Sequence, residues 1–88
     1  MLNTNQDTEL ERIAEKNVLE EAQRFGEYGI VGLHRFIHTY GILAKCNDTG
    51  YSMRWCYKTR LEAAGALKDW VNGVTEQPEG YTRKLGVE

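Results

Sequence analysis

Two histidines and two cysteines are the residues whose types and spacing come closest to a metal site. His34 and His38 lie four positions apart and would share one face of a helix, and Cys46 and Cys56 follow them. Imidazole and thiolate groups are the usual ligands of zinc. The turn-forming residues between the cysteines, however, predict a hairpin that holds them about three to five strand positions apart, roughly 10 to 16 Å. We therefore expect neither a metal site nor a disulfide, whose Cα atoms lie within about 7 Å.

Catalytic arrangements are equally weak in this sequence. A cysteine and histidine pair needs a third, orienting group and a pocket before it can act as a nucleophile. Ser52 is the only serine and has no elbow-like glycine context, and the carboxylates cluster at predicted helix starts, where capping accounts for them. We expect a non-enzymatic protein without a cofactor.

An aromatic row offers a different chemistry. The stretch YSMRWCYKT, residues 51–59, places Tyr51, Met53, Trp55 and Tyr57 on one face of a predicted strand and a partly basic set on the other. A small sheet is stable only if one face is covered, so burial of this row under a helix is the first interpretation. A partly exposed aromatic surface for a ligand is the alternative.

The charges are segregated along the chain. The net charge is −2, but residues 29–60 carry five bases and one acid, whereas the segments before and after them are acidic. A basic middle segment could meet an anionic partner, and aromatic side chains beside it could anchor a protein or stack on bases. The candidate partner-binding residues are Arg35, Arg54, Trp55, Tyr57, Lys58 and Arg60. A second candidate surface is the acidic set Glu15, Glu20 and Glu21.

The periodicity predicts helices at both ends of the chain. Thr8 and Glu11 form a capping-box pattern, and an apolar stripe continues from there to Phe25, where Gly26 would end the helix. Thr59 and Glu62 repeat that pattern before a second apolar stripe that ends at residues 72–73.

The middle of the chain predicts a hairpin and one ambiguous segment. Residues 42–46 and 51–58 flank the turn formers of residues 47–50, which favours two antiparallel strands. Residues 28–40 have helical spacing and are predicted as a helix, with an irregular strand as the alternative because Gly29 and Gly32 disfavour a helix. A short strand is expected around residues 81–85.

Together these elements predict an α+β fold. We expect a single domain over residues 1–88, in the order helix, helix, strand, strand, helix, with a two- or three-stranded antiparallel sheet packed on the helices. Residues 1–6 are expected to be frayed and residues 74–88 to form a turn-rich tail.

Two resemblances bear on function. The Gly26–Gly29 turn between predicted helices resembles the element order of KH RNA-binding domains, although Glu27 stands where that family usually has a basic residue. In the C-terminal half, Cys56-Tyr57, Glu62-Ala63, Ala66-Leu67, Trp70, Gly73 and Pro78-x-Gly80 resemble the "CY…EA..AL..W..G…P.G" ending of small uncharacterised phage and prophage proteins.

The phage resemblance implies an accessory protein that binds a host macromolecule. The expected function is binding of a host protein or protein complex. An anti-CRISPR-like inhibitor of bacterial defence is the most specific form of this function. The alternative is a nucleic-acid-binding module that uses residues 29–60. The sequence has no apolar run of the roughly 20 residues that span a bilayer and no signal-peptide pattern, so we expect no membrane partner and a location in the host bacterial cytoplasm.

Overall fold

The protein is an antiparallel sheet with one helix on each face. Its structure, a computed structural model, describes residues 7–80 and the backbone of residues 82–85. The elements are α1 (Thr8–Asn17), β1 (Glu20–Arg24), a 3-10 turn (Gly26–Tyr28), β2 (Ile30–Arg35), β3 (Tyr40–Cys46), β4 (Met53–Tyr57), α2 (Arg60–Val71) and β5 (Thr82–Leu85). The predicted α+β class is confirmed, and the strands pair in the order β1-β2-β3-β4-β5.

The larger core lies between α2 and the sheet. Successive side chains of a strand point to opposite faces, so each buried strand supplies alternate residues to this side. Trp55 and Trp70 are both 1% exposed, and their rings meet edge to face with centroids 5.3 Å apart. The other buried members are Val31, Leu33, Ile42, Ala44, Met53, Ala63 and Leu67.

A smaller core lies on the opposite face, under α1. Ile13 of α1 packs there with Ile30, Leu43 and Cys46. Asp7 caps the helix by accepting a hydrogen bond from the Leu10 amide at 3.0 Å, so the cap lies one residue before the predicted Thr8. α1 packs mainly on β1 and β2, and Ile13 also reaches Leu43 and Cys46 of β3.

Trp70 also contacts the segment that follows α2. Its indole Nε1 donates to the Glu76 carbonyl oxygen at 3.0 Å, and Pro78 is buried. Gly80 then passes so close to β4 that an added Cβ would lie 2.5 Å from the Cys56 carbonyl oxygen. The phage-like pattern at these positions thus coincides with residues that hold α2 and β5 against the sheet.

The predicted first helix is too long. α1 ends at Asn17, because Val18 adopts a left-handed conformation (φ 53°) and its amide, with that of Leu19, bonds back to the helix carbonyls. Residues 20–24 form edge strand β1 instead of further helical turns. The helical stripe of Ala22 and Phe25 was misleading because pairing with β2 outweighs a local preference.

The predicted helix over residues 28–40 is also wrong. This segment contains β2, a tight turn and the start of β3, so the irregular-strand alternative holds and the sheet has five strands instead of two or three. The glycines are needed here: a Cβ on Gly32 would lie 3.1 Å from the Leu19 Cβ atom. The glycine turn therefore joins two strands, which removes the KH-like element order.

Three further predictions for the C-terminal half are confirmed. β3 and β4 form the expected antiparallel hairpin, with Ala44 opposite Met53. α2 begins after the predicted capping box, in which Thr59 accepts from the Glu62 amide and Glu62 accepts from the Thr59 amide. The expected strand after residue 81 is β5, which pairs with β4. The predictions for residues 1–6 and 86–88 lie outside the described residues.

Replacement of Trp70 by alanine should lower the free energy of unfolding by about 3 to 5 kcal/mol, because it removes a buried indole and leaves a cavity among aromatic rings. Denaturant unfolding of Trp70→Ala and of the milder Trp70→Phe would measure the loss. An alanine variant that unfolds at the wild-type midpoint would contradict the described core.

Replacement of Val18 by glycine should raise the free energy of unfolding by about 1 kcal/mol, because a β-branched residue is strained in the left-handed region. Val18 is 69% exposed, so little packing is lost. Thermal unfolding of Val18→Gly would show a higher midpoint, and a lower one would refute the assigned helix end.

Candidate interaction surface

The sheet brings three separate chain segments together at one end. Arg35, the last residue of β2, is opposite Tyr40 of β3, and Tyr40 is opposite Tyr57 of β4. Lys58 directly follows Tyr57 and therefore lies beside the β2–β3 turn. Residues 35–40 and Lys58 line a cavity of about 330 Å³ at this end.

Phe36 anchors the β2–β3 turn on the sheet. Its amide donates to the Thr39 carbonyl oxygen at 2.9 Å, and its ring covers Gly41, where an added Cβ would lie 2.6 Å from Cε2. The ring also packs edge to face on His34, with centroids 4.6 Å apart, and the Arg54 Cζ atom lies 5.1 Å from its centroid. Phe36 therefore holds the base of the turn on the sheet, and residues 37 and 38 form the tip.

The tip places an aliphatic side chain among cations. Ile37 is 89% exposed, the highest value among the exposed large hydrophobic residues that the structure describes. Arg35, His38 and Lys58 line the same cavity as Ile37, and the described side chains that line this cavity include no carboxylate. We call Arg35, Ile37, His38 and Lys58 the hairpin-end surface.

Arg35 and Lys58 of this surface differ in their ion pairing from several other arginines that the structure describes. Within residues 7–80, no carboxylate forms an ion pair with Arg35 or Lys58. In contrast, Arg12 pairs with Asp48, and Arg24 pairs with Asp7 and holds the pKa of that carboxyl below its usual value.

Arg60 belongs to the internally paired group. Its Nε lies 2.7 Å from a Glu20 carboxylate oxygen and its guanidinium lies 3.0 Å from Glu21. Glu20 raises the pKa of Arg60 by accepting its hydrogen bond. The predicted basic and acidic surfaces thus meet at this cluster, and only Glu15 of the acidic set lies apart from it, exposed on α1.

The aromatic candidates are mostly structural. Trp55 is buried in the larger core, so its ring is not available as a surface anchor or a stacking platform. Tyr57 is half-buried against the same core, and burial raises the pKa of its hydroxyl to about 12. Arg54 is half-buried beside Phe36 and donates to the Tyr51 hydroxyl at 3.3 Å. The core interpretation of the row therefore holds for Met53 and Trp55, while Tyr51 packs on the smaller core.

Sequence reasoning did not select Ile37 and His38 as contact residues. Both were assigned to a helix, where Ile37 would have belonged to the apolar face. The missed signal was the polar pair of residues 38–39 between two apolar runs, which is compatible with a hairpin turn.

A second concave region lies beside the hairpin-end surface. A cavity of about 630 Å³ runs along α2 and shares Lys58 with the first one. Its lining includes the carboxylates of Glu62, Asp69 and Glu79. We call these residues the acidic groove. Positive potential at the hairpin end is therefore limited to a small area.

The cysteines lie apart, as the hairpin predicts. Cys56 is opposite Gly41, five residues before Cys46 on β3, which corresponds to about 16 Å along the strand. Both cysteines are free and buried. Over the part of the chain that the structure describes, no group of three or more histidine, cysteine or acidic residues could hold a metal ion.

The described residues form an α+β fold in which the hairpin-end surface is small, basic and partly apolar. Comparison of the chain with protein-family models, with curated proteins and with solved structures finds no match. No helix within the described ranges combines the length and apolar character required for a membrane span.

The Cys46 thiol should resist alkylation, because burial raises its pKa to about 12 and little thiolate exists at pH 8. In a Cys56→Ser background, we expect iodoacetamide to label native Cys46 at least about 100-fold more slowly than glutathione, with full labelling in denaturant. Mass spectrometry would measure both rates. Labelling of the native protein at the glutathione rate would contradict the described burial.

Proposed function

We propose that this protein is a non-enzymatic binding module that contacts a host protein through the hairpin-end surface. The observation that carries the proposal is the exposed Ile37 side chain, which lies among three basic side chains around one cavity. An exposed aliphatic anchor beside unpaired cations suits a partner surface that combines an apolar pocket with acidic residues.

The biological context of the proposal comes from the phage resemblance. A small phage-encoded protein that binds a host protein can act as an inhibitor of bacterial defence in the host cytoplasm. An anti-CRISPR-like role is the particular form that we propose, and its support is origin and size rather than a catalytic or metal-binding motif.

Nucleic-acid binding is the competing hypothesis, and three features count against it. Trp55 is buried and cannot stack on a base, and Arg60 is already paired with Glu20 and Glu21. The acidic groove lies next to Lys58. A polyanion that extended beyond the hairpin-end surface would therefore meet carboxylates, which weakens binding instead of adding to it.

The test is affinity capture from a bacterial lysate with the wild type and with matched variants, before and after nuclease treatment. We expect a nuclease-resistant partner whose affinity falls at least about tenfold in Ile37→Asp and in Arg35→Glu/Lys58→Glu, since both changes remove the proposed contacts. Titration calorimetry with the purified partner would measure the affinities.

The matched controls are Val74→Asp and Lys45→Glu. Val74 is 68% exposed, Lys45 is exposed, and neither lines the hairpin-end cavity, so both variants should bind like the wild type. Equal losses in test and control variants would contradict the proposed surface. Tight, strongly salt-dependent binding of an oligonucleotide by the isolated protein, lost in Arg35→Glu/Lys58→Glu, would favour the nucleic-acid hypothesis.

A further inference from the structure

We propose that the cavity lined by residues 35–40 and Lys58 is a carboxylate-binding pocket that receives one acidic side chain of the partner. This inference rests on the proposed function and specifies the chemistry of the same surface. The partner segment would carry an aspartate or glutamate flanked by an aliphatic residue that packs on Ile37.

The lining of the cavity has the composition that a carboxylate requires. Arg35 and Lys58 approach it from different strands, and His38 and Thr39 belong to the turn between β2 and β3. A guanidinium and an ammonium group together offer several donors to one carboxylate, and charge-assisted hydrogen bonds are stronger than neutral ones. The exposed Ile37 beside these donors excludes water from one side of the contact.

Size and surroundings favour a single carboxylate over a longer anion. The volume of about 330 Å³ accommodates one side chain, and the cavity opens beside Ile37. Lys58 lines the same cavity as the residues of the acidic groove. The carboxylates of Glu20 and Glu21 form ion pairs with Arg60, which lies two residues after Lys58 in the chain. Carboxylates near both sides of Lys58 repel a second negative charge, so a polyphosphate chain gains less than one isolated acidic group.

The experiment uses a blocked peptide of sequence Ala-Leu-Glu-Leu-Ala as the probe. We expect the amide NMR signals of residues 35–40 and Lys58 to shift with millimolar affinity. The same peptide with glutamine in place of glutamate should bind at least about tenfold more weakly. Equal binding of the two peptides, or shifts centred elsewhere, would overturn the proposal.

Variants test the roles of the lining residues. Arg35→Gln/Lys58→Gln should abolish the glutamate preference. His34→Gln is the control, since His34 lies outside the cavity lining and its Nδ1 is 2.9 Å from the Asn17 carbonyl oxygen, where a glutamine amide can still donate. An unchanged glutamate preference in Arg35→Gln/Lys58→Gln would refute the roles of these two residues.

Two further outcomes distinguish the possible failures. Inorganic phosphate that binds the same residues more tightly than the glutamate peptide would overturn the assignment to a carboxylate. Partner capture that depends on Ile37 but is unchanged in Arg35→Gln/Lys58→Gln would refute this inference and leave the proposed function intact. Peptide binding as expected without any captured partner would refute the proposed function and leave the pocket.

Discussion

The contact between Trp55 and Trp70 is the interaction on which the other elements depend. It joins α2 to the strand at the centre of the C-terminal half, with ring centroids 5.3 Å apart in a buried site. Phe25 and Tyr28 pack edge to face on Trp70 from the glycine turn, which connects β1 to the same cluster. Trp70 Nε1 also donates a hydrogen bond to the Glu76 carbonyl oxygen. This one side chain therefore helps to position the segment that leads into β5.

That cluster also decides which side chains can meet a partner. Trp55 and Trp70 are buried in the larger core, and Tyr57 packs against it. The aromatic side chains that the sequence predicted as contact residues, Trp55 and Tyr57, are therefore wholly or partly buried. An aliphatic residue, Ile37, is the exposed anchor at the hairpin end instead. The contact region is therefore small and depends on the fixed geometry of the turn that Phe36 secures on Gly41.

Ion pairs between distant segments shape the charge distribution as strongly as the core shapes the aromatic surface. Arg60 and the carboxylates of β1 lie about 40 positions apart in the chain, yet they form one exposed cluster. Such exposed pairs contribute little to the free energy of unfolding, typically under about 1 kcal/mol. For the proposed binding function they matter more, because Arg60 is engaged with Glu20 and Glu21, whereas Arg35 and Lys58 form no ion pair with a carboxylate within residues 7–80.

The sequence by itself determined the elements whose signals are local. The capping box at Thr59 and Glu62 and the turn formers between β3 and β4 depend on neighbours a few residues away, and both were predicted correctly. The alternation around Trp55 is also a local signal, and it holds for Met53 and Trp55 but not for Tyr51. From these alone the α+β class, the separation of the cysteines and the participation of Arg35 and Lys58 in a basic region could be proposed.

Only the tertiary structure decided the N-terminal half and the composition of the surface. β1 and β2 have helical spacing in the sequence and become strands because they pair with each other and with β3 and fill two cores. The selection of Ile37 and His38, and the loss of Arg60 and Trp55 from the contact surface, depend on residues far apart in the chain. Pairing across a sheet and between distant charges is a property of three-dimensional proximity, which local periodicity does not encode.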